Sequence, residues 1–302
     1  MITEKEILRQ IINIISVNLQ RESRTGLLQG KIGIAILLYH YLHYSGNDRY
    51  AFFPEEYLGN IEKYISAKTK KNIADEVGGI GWGIDYMIRK GLVDADDDVL
   101  DEVDETMGEK MGPESFLKEV AEKLPLFSKG LYFLQRDKSE MVRESLLEVI
   151  NYIKTNQDFR YPLMYINSIV YVALVSSKKY SNIAFCDELL DYLYEFATTD
   201  TAKKIDSQDY LLLKKNISLM SEHQASKWSG LISEDQLSSD VTDCYWIDFL
   251  FPEGERIPVD VENIHSWLQS FLQQFDYERL SIYKGLAGIG LAIINKQNNN
   301  NF

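Results

Sequence analysis

Cysteine is almost missing from this chain of 302 residues, with only Cys186 and Cys244 present. Two thiols provide no disulfide framework, so the expected compartment is the reducing cytoplasm. Histidine is also sparse: His40, His43, His223 and His265 are the only four, and none adjoins a cysteine. Cations are in deficit, 32 Lys and Arg against 46 Asp and Glu, for a formal net charge of −14. That balance argues against nucleic acid and anionic membrane as partners, since both are bound through positive surface. No apolar run reaches the ~18 residues of a membrane span. The opening Met1-Ile-Thr-Glu-Lys-Glu carries carboxylates where a secretory signal needs cations, so no signal peptide is expected.

Glycine, in contrast, is placed to a pattern. Clusters occur at Gly26-Leu-Leu-Gln-Gly30-Lys-Ile-Gly33, at Gly78-Gly-Ile-Gly81-Trp-Gly83 and at Gly285-Leu-Ala-Gly288-Ile-Gly290, with a degenerate copy at Gly130-Leu-Tyr132. Gly26 to Gly78 and Gly78 to Gly130 are each 52 residues, and Gly130 to Gly285 is 155, close to three such intervals. A fixed period of this size marks a helical repeat. Each cluster is expected just ahead of an apolar helix, where a missing Cβ lets another backbone come close. Phosphate binding is the competing reading and fits poorly. No strand-like run precedes any cluster, and Gly30-Lys31 is followed by Ile32 where a phosphate loop needs Ser or Thr.

Periodicity reads as helix almost throughout. Thr3 and Glu6 form a capping-box pattern, followed by an apolar face of Ile7, Leu8, Ile11, Ile12, Ile15 and Leu19. Helices are expected at about 31–44, 53–68, 80–90, 98–111, 114–124, 129–135, 139–155, 163–177, 182–197, 208–222, 260–276 and 286–296. Runs such as 31–44 are apolar all round, whereas 139–155 has Val142, Leu146, Val149, Ile150 and Ile153 on one side only. Inner and outer helices alternating in pairs of about 50 residues predict an all-α protein, an α/α toroid of about six helix pairs. It would form one domain over 1–302, with a frayed tail at 297–302. Residues 228–259 read as irregular, with a short strand around Tyr245 to Leu250.

The stretches Gly26-Leu-Leu-Gln-Gly-Lys-Ile-Gly-Ile-Ala, Gly78-Gly-Ile-Gly-Trp-Gly-Ile-Asp-Tyr and Gly285-Leu-Ala-Gly-Ile-Gly-Leu-Ala together resemble the lanthionine synthetase C-like family. The match is specific in 24–105 and 281–294. Between them only the period and the helical texture agree. The resemblance implies an α/α barrel whose inner helices start at the glycine motifs. It also implies a role in modifying ribosomally synthesised peptides, with a precursor peptide or a peptide-modifying enzyme as partner. The family's cyclases add peptide thiols to dehydrated Ser or Thr with zinc held by two cysteines and a histidine. Their Trp-Cys-Tyr-Gly and Cys-His stretches have no counterpart here, and Cys244-Tyr245-Trp246 is only a scrambled echo. No metal ligands and no cofactor are therefore assigned, and the expected role is peptide binding or scaffolding without zinc.

The alternative is a zinc-independent carboxylate enzyme such as a glycosidase, a chemistry that α/α toroids perform with an acid and a base at inner-helix ends. Asp85 is the candidate carboxylate, on an apolar helix beside Tyr86, with Lys31 as a candidate neutralising partner. Lys31, Trp82, Asp85, Tyr86, Tyr283 and Lys284 all fall at or near the expected inner-helix starts and form the candidate substrate-binding set. His40 and His43, at i and i+3, read as core or rim residues. Asp94, Asp96, Asp98 and Glu105 mimic a calcium loop, but Val99 replaces the glycine needed at its sixth position, so these acids read as the start of a helix.

Overall fold

The computed structural model describes residues 2–46, 71–96, 98–180, 186–198, 205–232 and 241–299. Among the described residues there are fourteen α-helices and no strand, so the chain is all-α. The helix expected at 53–68 lies outside them. The helices are α1 (Glu4–Asn18), α2 (Lys31–Ser45), α3 (Val77–Arg89), α4 (Asp101–Gly108), α5 (Pro113–Val120), α6 (Ser128–Gln135) and α7 (Ser139–Thr155). There follow α8 (Leu163–Lys179), α9 (Cys186–Thr198), α10 (Ser207–Leu219), α11 (Glu222–Ser229), α12 (Trp246–Leu250), α13 (Val261–Gln273) and α14 (Leu286–Asn299). No helix is long and apolar enough to cross a membrane, among the described residues. Contacts divide the chain into two compact units, Met1–Thr106 with Asp240–Leu250 and Ile257–Phe302, and Met107–Ser239 with Phe251–Arg256.

The first unit is built around α2. Its residues Ile32 to Tyr39 are buried without interruption, as an all-round apolar helix requires, and both α3 and α14 pack on it. At its end Gly46 adopts a left-handed φ of 60° and returns its N–H to Leu42 O at 2.9 Å, a conformation glycine takes without steric cost. The α1 capping box forms as expected: Glu6 N donates to Thr3 Oγ1 at 3.2 Å and Thr3 N donates to Glu6 Oε2 at 2.8 Å. The helix lays Ile7, Leu8, Ile11, Ile12 and Ile15 inward and packs on α14, where Lys296 Nζ pairs with Glu4 Oε1 at 2.7 Å. Helix α14 continues to Asn299, well into the expected frayed tail.

The second unit repeats this plan around α8, where Leu163 to Leu174 are all buried and α6, α7, α9 and α10 pack on the helix. Some of its buried polar groups are satisfied internally, though Asn167 Oδ1 and Asn216 Oδ1 have no hydrogen-bond partner among the described residues. Ser168 Oγ accepts Phe127 N–H at 2.9 Å, and Asn216 Nδ2 donates to Asn167 O at 2.9 Å. The segment 251–256 is held by Lys215 on α10, whose buried ammonium donates to Glu255 O at 2.8 Å.

The glycine pattern acquires a different register. Helices α2, α3, α6 and α14 each carry glycine as third residue: Gly33, Gly79, Gly130 and Gly288. The Gly78–Gly83 cluster therefore lies inside its helix, whereas Gly26, Gly30 and Gly285 precede theirs, and counted between third-residue glycines the intervals become 46, 51 and 158 residues. A Cβ on Gly33, Gly79 or Gly288 would fall within 3.0 Å of a backbone carbonyl oxygen six residues upstream, that of Leu27, Ile73 or Ile282. The chain before each helix thus folds back across its first turn, into space that a side chain would fill. Further along, Gly83 admits Ile32 of α2, and Gly290 admits Leu37, whose Cδ1 would lie 2.8 Å from an added Cβ.

Two expectations are corrected between α10 and α13. Glu222–Ser229 is a separate helix started by Ser221, whose hydroxyl accepts Gln224 N–H. The strand expected near 245–250 is helix α12, which buries Trp246, Ile247, Phe249 and Leu250 among its neighbours. Helix α4 starts at Asp101, later than expected, with Asp101, Glu102 and Asp104 in its first turn as its dipole favours.

Substituting Gly79→Ala is expected to cost about 1–3 kcal/mol in denaturant unfolding, because the upstream backbone must move. Gly230→Ala, where an added Cβ meets only ordinary contact, should stay within about 0.5 kcal/mol. Equal effects at the two positions would refute close approach as the reason for glycine at the third helical residue.

Candidate functional site

The helix starts named from the sequence converge at one end of the first unit. Gln29 N donates to Ala74 O at 3.1 Å, joining the entries of α2 and α3, and Tyr283 N donates to Leu28 O at 2.7 Å, joining those of α2 and α14. Ser281 Oγ adds a second bond to Leu28 O at 2.9 Å. The α2 entry is therefore central, and its own turn is closed by Lys31 N to Arg24 O at 3.1 Å. Arg24 is fixed in turn by the buried Glu22 through two side-chain bonds, of 3.0 and 2.8 Å.

On α3, one turn separates Trp82 from Tyr86, and their rings stack with centroids 5.4 Å apart. Phe249 of α12 closes against both at 5.3 Å. Also on α12, Trp246 meets the Tyr283 ring at 5.3 Å, and Lys284 places its ammonium 5.3 Å from the same ring. This short helix therefore touches both halves of the candidate set, with Trp246 serving one and Phe249 the other. Trp82 and Asp85 are buried, whereas Lys31, Tyr86, Tyr283 and Lys284 are half-exposed. Asp85 pairs with Arg89 one turn on, Oδ2 to Nε at 2.7 Å, an ion-pair partner that the sequence reading, which offered Lys31, did not name.

Tyr86 has a further partner not foreseen, His40 of α2, whose Nε2 lies 2.9 Å from its hydroxyl. Burial lowers the His40 pKa to about 4, with the Lys90 and His43 charges acting the same way, and burial raises that of Tyr86 to about 12. Both groups are neutral around pH 7, so the bond joins two uncharged rings and has no proton to exchange in that range. His43 is exposed and does not join it. Phe249 and His40 were missed because each sits on a different element from Tyr86. The spacing of Trp246, Phe249 and Leu250 on one apolar face was the signal available for α12.

Lys284 has a left-handed backbone, φ 51°, which non-glycine residues rarely adopt. It is held there by Arg279 Nε, which donates to Lys284 O at 2.9 Å. Arg279 also bonds Asp243, which accepts Trp267 Nε1–H at 2.7 Å.

Zinc chemistry of the kind the resemblance carries needs converging thiolates and imidazole. Cys244 is buried and His40 is engaged with Tyr86. Among the described residues no three His, Cys, Asp or Glu side chains are placed to share a metal ion. The residues described thus do not assemble that donor set, and the side chain of Cys186 lies outside them. No family model, curated protein or solved structure matches the chain.

Two outcomes follow from these contacts. Because the folded pKa of His40 is depressed below the ordinary 6.5, the unfolded chain binds the extra proton between pH 6.5 and 4. The contribution of neutral His40 is complete above that window and is lost as pH falls through it. The stability difference between the native chain and His40→Gln should therefore be larger at pH 7 than at pH 4.5 in urea titrations; a pH-independent difference would contradict the burial of His40. Second, Lys284→Gly should raise stability by about 0.5–1 kcal/mol, as relief of the left-handed strain exceeds the added chain entropy. A loss of stability would mean that the Lys284 side chain contributes more than its backbone costs.

Proposed function

We propose that the chain is a lanthionine synthetase C-like α/α toroid of about six helix pairs, working in the cytoplasm without zinc. It would bind a ribosomally made precursor peptide, or scaffold the enzyme that modifies that peptide. The observation that carries this reading is the joining of three glycine-bearing helix starts, α2, α3 and α14, by backbone hydrogen bonds at Ala74 and Leu28. These are the segments on which the sequence resemblance rests. What favours binding over catalysis is the chemistry gathered there. Rings and half-exposed ammonium groups offer contact area and mixed polarity to an extended chain. The His40 and Tyr86 pKa values of about 4 and about 12 lie too far from neutrality for efficient proton transfer.

The test is whether the full-length chain captures a ribosomally made precursor peptide or a peptide-modifying enzyme, chosen from any that are encoded beside its gene. Lys31→Glu combined with Lys284→Gly should weaken capture about tenfold or more while leaving the melting temperature unchanged or higher. In the same preparation zinc should be far below one equivalent, and chelator should not shift the melting temperature. Undiminished capture by the double variant would remove the helix-entry face from the reading. Near-stoichiometric zinc, lost on Cys244→Ala, would replace the scaffold with a cyclase.

A further inference from the structure

The second unit contains a groove of about 600 Å³, within the range of small-molecule sites. Its lining includes Glu144, Leu147, Glu148 and Asn151 of α7, with Lys110 and Lys129. Lys129 and Glu148 form an ion pair at 2.8 Å, with side-chain exposures of only 9% and 21%. The pair is fixed from behind. Lys129 Nζ donates to Glu109 O at 3.0 Å, and Glu148 Oε1 accepts Met111 N–H at 2.7 Å. Tyr152 bonds Met111 O while its ring stacks on Phe116 at 4.8 Å, so the backbone beneath the groove is pinned at both N–H and carbonyl.

Burying such a pair is a poor way to gain stability, because desolvation offsets most of the attraction, and apolar side chains of the same volume would serve folding as well. Its position in a groove is better accounted for by what it can bind. Lys129 uses two of its three ammonium protons on the protein, and each Glu148 oxygen retains acceptor capacity. Nearby, Lys110 and Glu144 are exposed and make no hydrogen bond or ion pair among the described residues. The groove thus presents two cations and two carboxylates, so that a ligand of single charge meets as much repulsion as attraction. The adjoining acid does not upset this balance. Glu119 is buried, its carboxyl accepting Ser128 N–H at 3.4 Å, and burial raises its pKa to about 8, which leaves it largely uncharged at neutral pH.

We propose that this groove binds a free aliphatic α-amino acid as its zwitterion, the carboxylate on Lys129 and Lys110, the ammonium on Glu148 and Glu144. Opposite charges 2.8 Å apart on the protein complement an ammonium and a carboxylate carried on one α-carbon. Leu147, 40% exposed, supplies the apolar wall for the side chain. This site lies in the second unit and does not depend on the function proposed for the first.

Binding is measured by titrating the full chain with L-leucine, leucinamide and N-acetylleucine, following calorimetry and the amide signals of residues 144–151. Leucine should saturate, with leucinamide and N-acetylleucine each about tenfold or more weaker. Lys110→Gln should narrow the preference over leucinamide, and Glu144→Gln that over N-acetylleucine. Both replaced side chains are exposed, so unchanged melting temperatures should accompany both losses. Equal affinity for the three compounds, or no saturable response to leucine, overturns the proposal. So does retention of both preferences in the two variants.

Discussion

The first unit depends on an approach of backbone to backbone that no side chain permits. At Gly33, Gly79 and Gly288 the upstream chain crosses the first helical turn so closely that even a methyl group would strike a carbonyl oxygen. Since the entering chain lies over its own helix, the entry segments come within hydrogen-bonding distance of one another, and the bonds through Ala74 and Leu28 follow. The same economy of volume recurs deeper, where Gly83 and Gly290 let Ile32 and Leu37 of α2 sink into neighbouring helices. Helix α2 can be buried on all sides only because its neighbours yield this space.

At the candidate face, charge sits at the edge of the rings, on Lys284 and on the Asp85–Arg89 pair. Around Tyr86 the ionisable partner, His40, is held neutral by burial, the Trp82 and Tyr86 rings stack, and Phe249 meets both edge-on or tilted. In the second unit a buried ammonium and a part-buried carboxylate face a groove, and burial raises the pKa of nearby Glu119 to about 8. The two units therefore differ in what they gather: aromatic rings edged by charge in one, and a Lys–Glu pair lining a groove in the other. In a chain of net charge −14 both lysines of that groove are local exceptions, and their positions carry more information than the total.

Much of the helical framework was legible. A run apolar on all sides, such as 163–177, or on one side, such as 139–155, has one economical conformation, and the structure places helices there to within two residues. Boundaries failed where local chemistry was ambiguous. Glycine reads as a helix breaker, so 80 looked like the start of α3; the helix begins at Val77 because tertiary closeness rewards the missing Cβ more than helix propensity penalises it. Trp246–Leu250 looked like a strand because five residues, four of them apolar or aromatic, are too short a run for periodicity alone to separate the two states.

The candidate site divides the same way. Local rules decided the capping box at Thr3, the amphipathic face of α1 and the recurrence of glycine, since each involves residues within one turn or one repeat. The sequence could therefore name Trp82, Tyr86, Tyr283 and Lys284 as residues at helix starts. The pairing of Asp85 with Arg89, at i and i+4 on α3, was open to a spacing argument. The sequence could not say that α12 would carry the rings that meet them or that His40 would bond Tyr86. It gave no sign of the Lys129–Glu148 pair, whose members lie on α6 and α7. Those choices belong to tertiary structure, because pair geometry and burial depend on which helices pack side by side, and no spacing along one helix contains that information.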